Sequence, residues 1–198
     1  LQVGTQGEAV RKVQERLAAL RYDPGAVDGN FGEATRFALY AFQKVNGLRV
    51  DGQVGSEVVA ALAKPRVPVA LVPSGGANRV EVDRTHQLMY VYLEGKLALI
   101  THISTGSGKS YCVEGECSKS VTPTGDFTTT WRVDGWRTAP LGRIYKPVYF
   151  NGGIAVHGYP SVPLYPASHG CVRIPMHTAD VFPKLVGTGW PVYVRAAK

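Results

Sequence analysis

The sequence predicts an α+β protein of two domains, an N-terminal three-helix bundle and a C-terminal mainly β domain, on three observations. Apolar residues recur at helical spacing through the first 64 residues. A Pro- and Gly-rich stretch from Lys64 to Ala77 then breaks all periodicity. Beyond it the polar/apolar period falls to two, the signature of strands. The expected boundaries are 1–64 for the helical domain, 65–77 for a linker and 78–198 for the β domain.

The helices follow in order. Thr5-x-x-Glu8 has the form of a capping box, and Val10, Val13, Leu17 and Leu20 then make one apolar stripe. A second helix is expected from Glu33 to Asn46, with Thr35, Ala38, Phe42 and Val45 inward. A short third follows Ser56, with Val59 and Leu62 inward, and stops before Pro65. Between the helices Val27-Asp28-Gly29-Asn30-Phe31-Gly32 returns as Val50-Asp51-Gly52-Gln53-Val54-Gly55. Asp-Gly is turn chemistry, and two copies are too few for a solenoid, so a pseudo-symmetric bundle is expected. In the second part, Arg79–Asp83 alternates, and Gln87–Leu93 and Lys96–Ser104 flank Glu94-Gly95 as a hairpin. Further strands are expected at Gly125–Trp131, Val148–Phe150, Ile154–His157 and Val192–Arg195, with a helix over Met176–Val186.

Composition narrows the function. With 44% hydrophobic and 19% charged residues the chain is not generally disordered. No apolar run approaches the roughly 18 residues of a membrane span. The net charge of +7 sits mainly in the second part, 14 Lys/Arg against 8 Asp/Glu, beside 8 against 7 in the first 64 residues. These charges are scattered, whereas nucleic-acid binders cluster them with aromatics. Nucleic acid is therefore not an expected partner, and a diffuse positive field suits an anionic polymer such as a cell wall.

The chemistry concentrates in His157-Gly158 and Ser168-His169-Gly170-Cys171-Val172-Arg173. A cysteine nucleophile needs a base or cation, donors aimed at the developing oxyanion and a grip on the substrate. This stretch offers a thiol, two imidazoles, a hydroxyl, an arginine and glycines that admit backbone approach. Taken singly, Cys171 reads as a small buried hydrophobe and His157 as a structural strand end. A zinc site of His157, His169 and Cys171 is a further alternative, though Cys-x-x-Cys and His-Glu-x-x-His spacings are missing.

The cluster resembles the active-site signature of the L,D-transpeptidases with a YkuD-type catalytic domain. Thr122-Pro123-Thr124-Gly125-Asp126-Phe127 and Ser104-Thr105-Gly106 resemble two further elements of that family. Residues Gly7 to Leu62, with the repeated Asp-Gly-x-x-Gly and Phe42-Gln43, resemble the peptidoglycan-binding three-helix module. The resemblance implies that Cys171 attacks the bond before the terminal D-Ala of a peptidoglycan tetrapeptide stem. A thioester forms, and an amine of a second stem resolves it into a 3→3 cross-link. It implies His157 as the base, Ser168 and His169 as residues shaping the site, and backbone oxyanion donors at Gly170 and Cys171. Arg173 is assigned to a substrate carboxylate. The resemblance further implies acylation by carbapenems, no cofactor and no metal, and peptidoglycan stem peptide and glycan as partners. A monomer is expected.

Cys112 and Cys117, in the stretch between the two upstream elements, depart from the family pattern. Their spacing around Gly115 permits a small disulfide loop, with free thiols or a metal pair as alternatives. Oxidation would leave Cys171 as the odd, reactive thiol. Glu114 and Glu116 in that loop are either solvated or face an acceptor amine. His86, His102 and His177 are expected to be structural or exposed. Tyr145, Tyr149, Tyr159, Tyr165, Trp131 and Trp136 divide between core and a substrate groove, with Tyr159 joining Arg173 in substrate binding.

Three other readings compete: an L,D-carboxypeptidase in which water resolves the thioester, a non-catalytic wall-binding protein with an inert cysteine, and a zinc peptidase. The substrate implies an extracytoplasmic location in the cell envelope. No signal segment precedes Leu1, so the sequence is expected to begin after a removed one.

Overall fold

The computed structural model describes residues 1–113 and 115–196. The helical part contains α1 (Glu8–Ala19), α2 (Glu33–Asn46) and α3 (Ser56–Ala63). Val10, Val13 and Leu17 of α1 meet Ala38, Leu39 and Phe42 of α2 and Val58 and Leu62 of α3 in one buried cluster. Val59, expected inward, is 58% exposed. The inward pair of α3 is Val58 and Leu62, four residues apart and so on one helix face. The capping box is also absent. Gly7 caps α1 without a side-chain bond, and Thr5 Oγ1 accepts the Gln2 N–H at 3.1 Å. Thr5 lies too far upstream because its carbonyl accepts the Phe31 N–H at 2.9 Å, in a bridge that ties the N-terminus to the first Asp-Gly turn.

The sequence repeat has a side-chain cause that periodicity did not reveal. Gln14 and Gln43 are each 1% exposed. Gln14 donates to Asp28 Oδ1 and the Asn30 carbonyl, and accepts the Asp28 and Gly29 N–H groups. Gln43 donates to Asp51 Oδ1 and the Gln53 carbonyl, and accepts the Gly52 N–H. One buried amide per repeat thus satisfies the polar backbone of each turn, which would otherwise be buried unpaired.

The second part is built on two sheets. The strands β1 (Arg79–Asp83), β2 (Leu88–Leu93), β3 (Lys96–His102), β6 (Gly125–Thr128) and β11 (Pro191–Arg195) form the larger, in the order β3-β2-β1-β11-β6. The strands β7 (Trp136–Ala139), β8 (Gly142–Asn151), β9 (Ile154–Gly158) and β10 (Val172–Ile174) form the second, in the order β10-β9-β8-β7. The ribbon of β4 (Ser110–Val113) and β5 (Glu116–Lys119) stands apart, and α4 (Met176–Leu185) follows β10. Val80, Val82, Met89, Val91 and Leu99 from the first sheet meet Val148, Phe150, Val156, Val172 and Ile174 from the second, with Phe182 of α4.

Strand alternation sends Leu88, Tyr90 and Tyr92 to the opposite face, and there they join the helical core with Ile100. The helical module is therefore packed on the sheet. The Ile100 N–H donates to the Arg21 carbonyl at 2.8 Å, and His177 of α4 meets the Asp23 carbonyl at 3.0 Å. This explains why β1, an alternating strand in sequence, is buried along its whole length. Glu81, fully buried, pairs with Arg79 at 2.7 Å and accepts the Leu71 N–H at 2.7 Å, which docks the connecting segment.

Several predicted elements changed extent. The second hairpin strand ends at His102, and β6 ends at Thr128. Gln87 lies outside β2 with φ 53°, a turn conformation. β7, β10 and most of β8 had no sequence signal, because their residues alternate weakly around Gly, Pro and Arg. The expected loop between Cys112 and Cys117 is the β4–β5 ribbon, closed by a disulfide between those two cysteines. Glu114 lies outside the described residues, and Glu116 is exposed at the start of β5.

Candidate active site

The site grows from one parallel pairing. β9 and β10 run side by side with Val156 opposite Val172 and His157 opposite Arg173. Val156 and Val172 point into the core. Alternation puts Ala155, His157, Cys171 and Arg173 on the other face. Cys171, just before β10, receives the Ala155 N–H on Sγ at 3.4 Å and is half-buried. A cavity of about 340 Å³ opens there, lined among others by Tyr111, Tyr149, His157, Tyr159, Cys171 and Arg173. That volume is in the range of small-ligand sites.

The chain between β9 and β10 is held by the other two elements singled out in the sequence. The Ala167 and Ser168 N–H groups both donate to the Thr105 carbonyl at 2.9 Å. Ser104 Oγ donates to the Tyr165 carbonyl at 2.8 Å. Thr122 Oγ1 donates to the Gly170 carbonyl at 2.6 Å and accepts the Gly106 N–H at 2.9 Å. Gly106 has no room for a side chain, since a Cβ there would sit 2.4 Å from the Ser120 carbonyl oxygen. Gly170 adopts φ 136°, which L residues rarely reach.

His157 is buried, and its Nδ1 lies 2.9 Å from the Gly158 carbonyl. Nδ1–H is the donor in that contact, so the lone pair falls on Nε2. A backbone carbonyl orients this imidazole where a carboxylate does so in other triads. Burial, with the Arg173 charge adding to it, pulls the His157 pKa down to about 4 against the Gly158 hydrogen bond. Burial pushes the Cys171 thiol up, opposed by the Ala155 N–H and by Arg173. At neutral pH both groups are uncharged. The resting pair is then a thiol and an imidazole.

One expected role changes. The Gly170 N–H donates to Ser168 Oγ at 3.1 Å and is already engaged, so it is not an oxyanion donor in this geometry. Ser168 Oγ in turn donates to the Cys171 carbonyl at 2.5 Å. Ser168 is buried and braces the turn rather than facing the cavity. His169 is exposed and packs edge-on against Tyr111 of the disulfide ribbon, with centroids 5.1 Å apart. That pair separates the cavity from a neighbour of about 340 Å³ lined by Lys109, Tyr165 and Ala167.

The aromatics divide. Tyr149 and Tyr159 line the cavity beside Cys171, while Trp131 stacks on Tyr149 at 4.0 Å and Trp136 tilts against Tyr145 at 5.1 Å. The Arg173 guanidinium lies 4.1 Å from the Tyr159 ring centre. Arg143, near the start of β8, also lines the cavity and lies 4.8 Å over Trp136. Among the described residues, no Asp or Glu lines this cavity. Arg143 had no sequence signal, because an arginine beside a glycine reads as an exposed turn. His86 pairs with Asp83 at 2.7 Å and His102 is fully buried. Among the described residues, no three His, Cys, Asp or Glu side chains are grouped to hold a metal ion, and His157, His169 and Cys171 form no such group.

Comparison with known proteins agrees with this architecture. Residues 77–194 match the YkuD family model, the L,D-transpeptidase catalytic domain, and residues 6–62 match a peptidoglycan binding domain. The chain belongs to the YkuD L,D-transpeptidase family. An L,D-transpeptidase from Xylanimonas cellulosilytica is 36% identical, with a TM-score of 0.91 over 98% of this chain and 97% of that one. One from Stackebrandtia nassauensis, 23% identical with a TM-score of 0.53 over 98% of this chain and 94% of that one, shares the fold. A 60-residue stretch is 45% identical to the zinc D-Ala-D-Ala carboxypeptidase of Streptomyces albus G, covering 28% of this chain and 22% of that protein. A 64-residue stretch is 42% identical to a spore cortex-lytic enzyme of Bacillus cereus, covering 32% and 25%. The chain thus spans about a quarter of the length of these curated relatives.

Proposed function

We propose that Cys171 is the nucleophile of an L,D-transpeptidase acting on peptidoglycan tetrapeptide stems in the cell envelope. The observation that carries this is the neutral His157 imidazole, fixed by the Gly158 carbonyl, sharing one cavity with the Cys171 thiol. Cys171 Sγ attacks the carbonyl before the terminal D-Ala, and the thiol proton passes to His157 Nε2. The C–N bond then breaks, and the same proton leaves on the amine of D-Ala. An amine of a second stem attacks the thioester and gives a proton to Nε2. The C–S bond breaks, the thiolate recovers that proton, and the 3→3 link remains. With Gly170 engaged, the Cys171 N–H is the backbone donor left for the oxyanion.

Arg173 and Arg143, in a cavity that no acid lines among the described residues, fit the carboxylates of a stem peptide. The cavities on the two sides of Tyr111 and His169 offer separate room for donor and acceptor. Residues 1–64 act as a wall-binding domain and 78–198 as the catalytic domain, joined by 65–77. Tethering to the wall raises the local substrate concentration.

The test is intact mass of wild type and Cys171→Ala after incubation with a carbapenem and with a disaccharide-tetrapeptide. An adduct on wild type alone, release of D-Ala and a dimeric stem are expected. Tripeptide and D-Ala without dimer would make the enzyme an L,D-carboxypeptidase. A folded protein with no adduct and no turnover would leave a wall-binding protein.

A further inference from the structure

The mechanism makes no use of Lys44, a half-buried ammonium in the last turn of α2, on the helical module. Its Nζ lies 2.8 Å from His102 Nδ1 and 2.9 Å from the Gln87 carbonyl, both in the β domain. No carboxylate lies within ion-pair distance among the described residues. Burial, against the more distant charge of Asp83, pulls the Lys44 pKa down to about 7. A cation in this setting carries a desolvation penalty that two neutral acceptors offset only in part. An apolar residue would avoid that penalty, so the ammonium's contribution is to be sought in what it orients.

Both of its partners lead to the nucleophile loop. The His102 ring is enclosed by α2, stacked on Phe37 at 5.9 Å and edge-on to Tyr40 at 5.7 Å. Its Nδ1 accepts from Lys44, which leaves Nε2–H to donate to the Val162 carbonyl at 2.9 Å. The neutral ring, with its pKa held down at about 3 mainly by burial, suits this two-sided role. The Gln87 side chain accepts the Thr105 N–H at 2.8 Å and donates to Thr105 Oγ1 at 2.9 Å. The Thr105 carbonyl then takes the Ala167 and Ser168 N–H groups, and Ser168 holds the Cys171 carbonyl. Lys44 is therefore linked to the segment before Cys171 by two routes, at Val162 through the His102 ring and at Ser168 through the residues Gln87 and Thr105, with Lys44 on the Gln87 main chain and Thr105 on its side chain.

We propose that Lys44 is a positioning residue for acyl transfer: through His102 and Gln87 it makes the helical module a brace for the loop that carries Cys171, in addition to a tether. This rests on the acyl-transfer reading above. A displacement of about 1 Å at a reacting group can change a rate by roughly a hundredfold, so a brace of this kind is felt in chemistry more than in binding.

The test compares full-length wild type, Lys44→Met, His102→Phe, the double variant and Lys44→Arg. One readout is the rate of Cys171 acylation by a carbapenem. The other is hydrogen exchange at the Ala167 and Ser168 amides. Lys44→Met is expected to slow acylation roughly ten- to hundredfold and to speed exchange at those two amides. The KM for a tetrapeptide stem should change less than kcat, and Lys44→Arg should recover part of both losses. The double variant should be no slower than the slower single variant, because two ends of one link are not additive. A folded Lys44→Met that acylates at the wild-type rate overturns the proposal, as does slow acylation with unchanged exchange. Should Lys44→Met not fold, His102→Phe cuts the same link from the other side and is judged by the same outcomes. If wild type shows neither a carbapenem adduct nor tetrapeptide turnover, the acyl-transfer reading fails and the exchange comparison alone decides the brace.

Discussion

His157 and Cys171, the proposed catalytic pair, show how surroundings, more than residue type, set the charge state of a group. Each is drawn toward its neutral form by burial, and Arg173 acts on the two in opposite senses for the proton transfer. It disfavours the imidazolium and favours the thiolate that forms during attack. The pH dependence follows with a definite sign. Protonating His157 removes the base, so acylation of Cys171 should be level through neutrality and fall as pH drops through about 4. An acid limb near the ordinary histidine value, in a stopped-flow or mass-based acylation profile, would instead require an imidazolium–thiolate pair. His157→Gln should lower the rate by roughly 10²–10⁴ with the fold intact. The cluster of residues around Cys171 was legible in sequence because Cys171, its neighbours and Arg173 are contiguous. The engagement of the Gly170 N–H by Ser168 was not, since it depends on a φ of 136° at one glycine.

At the level of elements, two small devices carry more than their length suggests. The Asp-Gly repeat was visible as text, but its cause was not. Gln14 sits within a helix whose period already explained its neighbours, and nothing local marks it as the partner of residues 28–30. Gln14→Leu should cost about 1–3 kcal/mol, because it strands the Asp28 and Gly29 N–H groups. Urea unfolding at constant m-value would measure it, and a change within a few tenths would show that water replaces the amide. The disulfide ribbon is the other device. Tyr111 stands beside Cys112 and packs on His169 at the wall of the cavity. Cys112→Ser/Cys117→Ser should loosen this wall and lower acylation of Cys171 without abolishing it. Complete loss of acylation in a folded double variant would place the ribbon in the chemistry itself. The spacing of the two cysteines around a glycine allowed this loop in sequence. Its strand pairing and its lean on His169 required the third dimension.

For the whole molecule, the helical module and the β domain share a buried interface. Tyr22, Phe42 and Leu17 lie in the same core as Leu88, Tyr90 and Ile100. His102, beside Lys44, is a titrating group at this interface. Its folded pKa of about 3 lies below the ordinary 6.5. Between those values the unfolded chain binds a proton that the folded chain refuses. Stability should therefore be unaffected by His102 above about pH 6.5 and should fall as pH is lowered toward 3. Denaturation midpoints at pH 7, 5.5 and 4.5 would show this slope, and His102→Phe should flatten it. An unchanged slope in that variant would assign the acid sensitivity to other groups.

Read from one end to the other, the amino-acid sequence by itself determined the α+β class, the three helices, the change of period after the Pro/Gly stretch and the cluster around Cys171. Each of these is a local pattern, a spacing of three or four, an alternation of two, or neighbours in the chain. Only the tertiary structure decided that β9 and β10 pair in parallel, that Arg143 enters the cavity, that Gly170 is engaged, and that Lys44 reaches His102 across two domains. Those facts join residues far apart in the chain. They are set by which buried faces meet and which polar groups must then find partners, a condition that no short window of sequence contains.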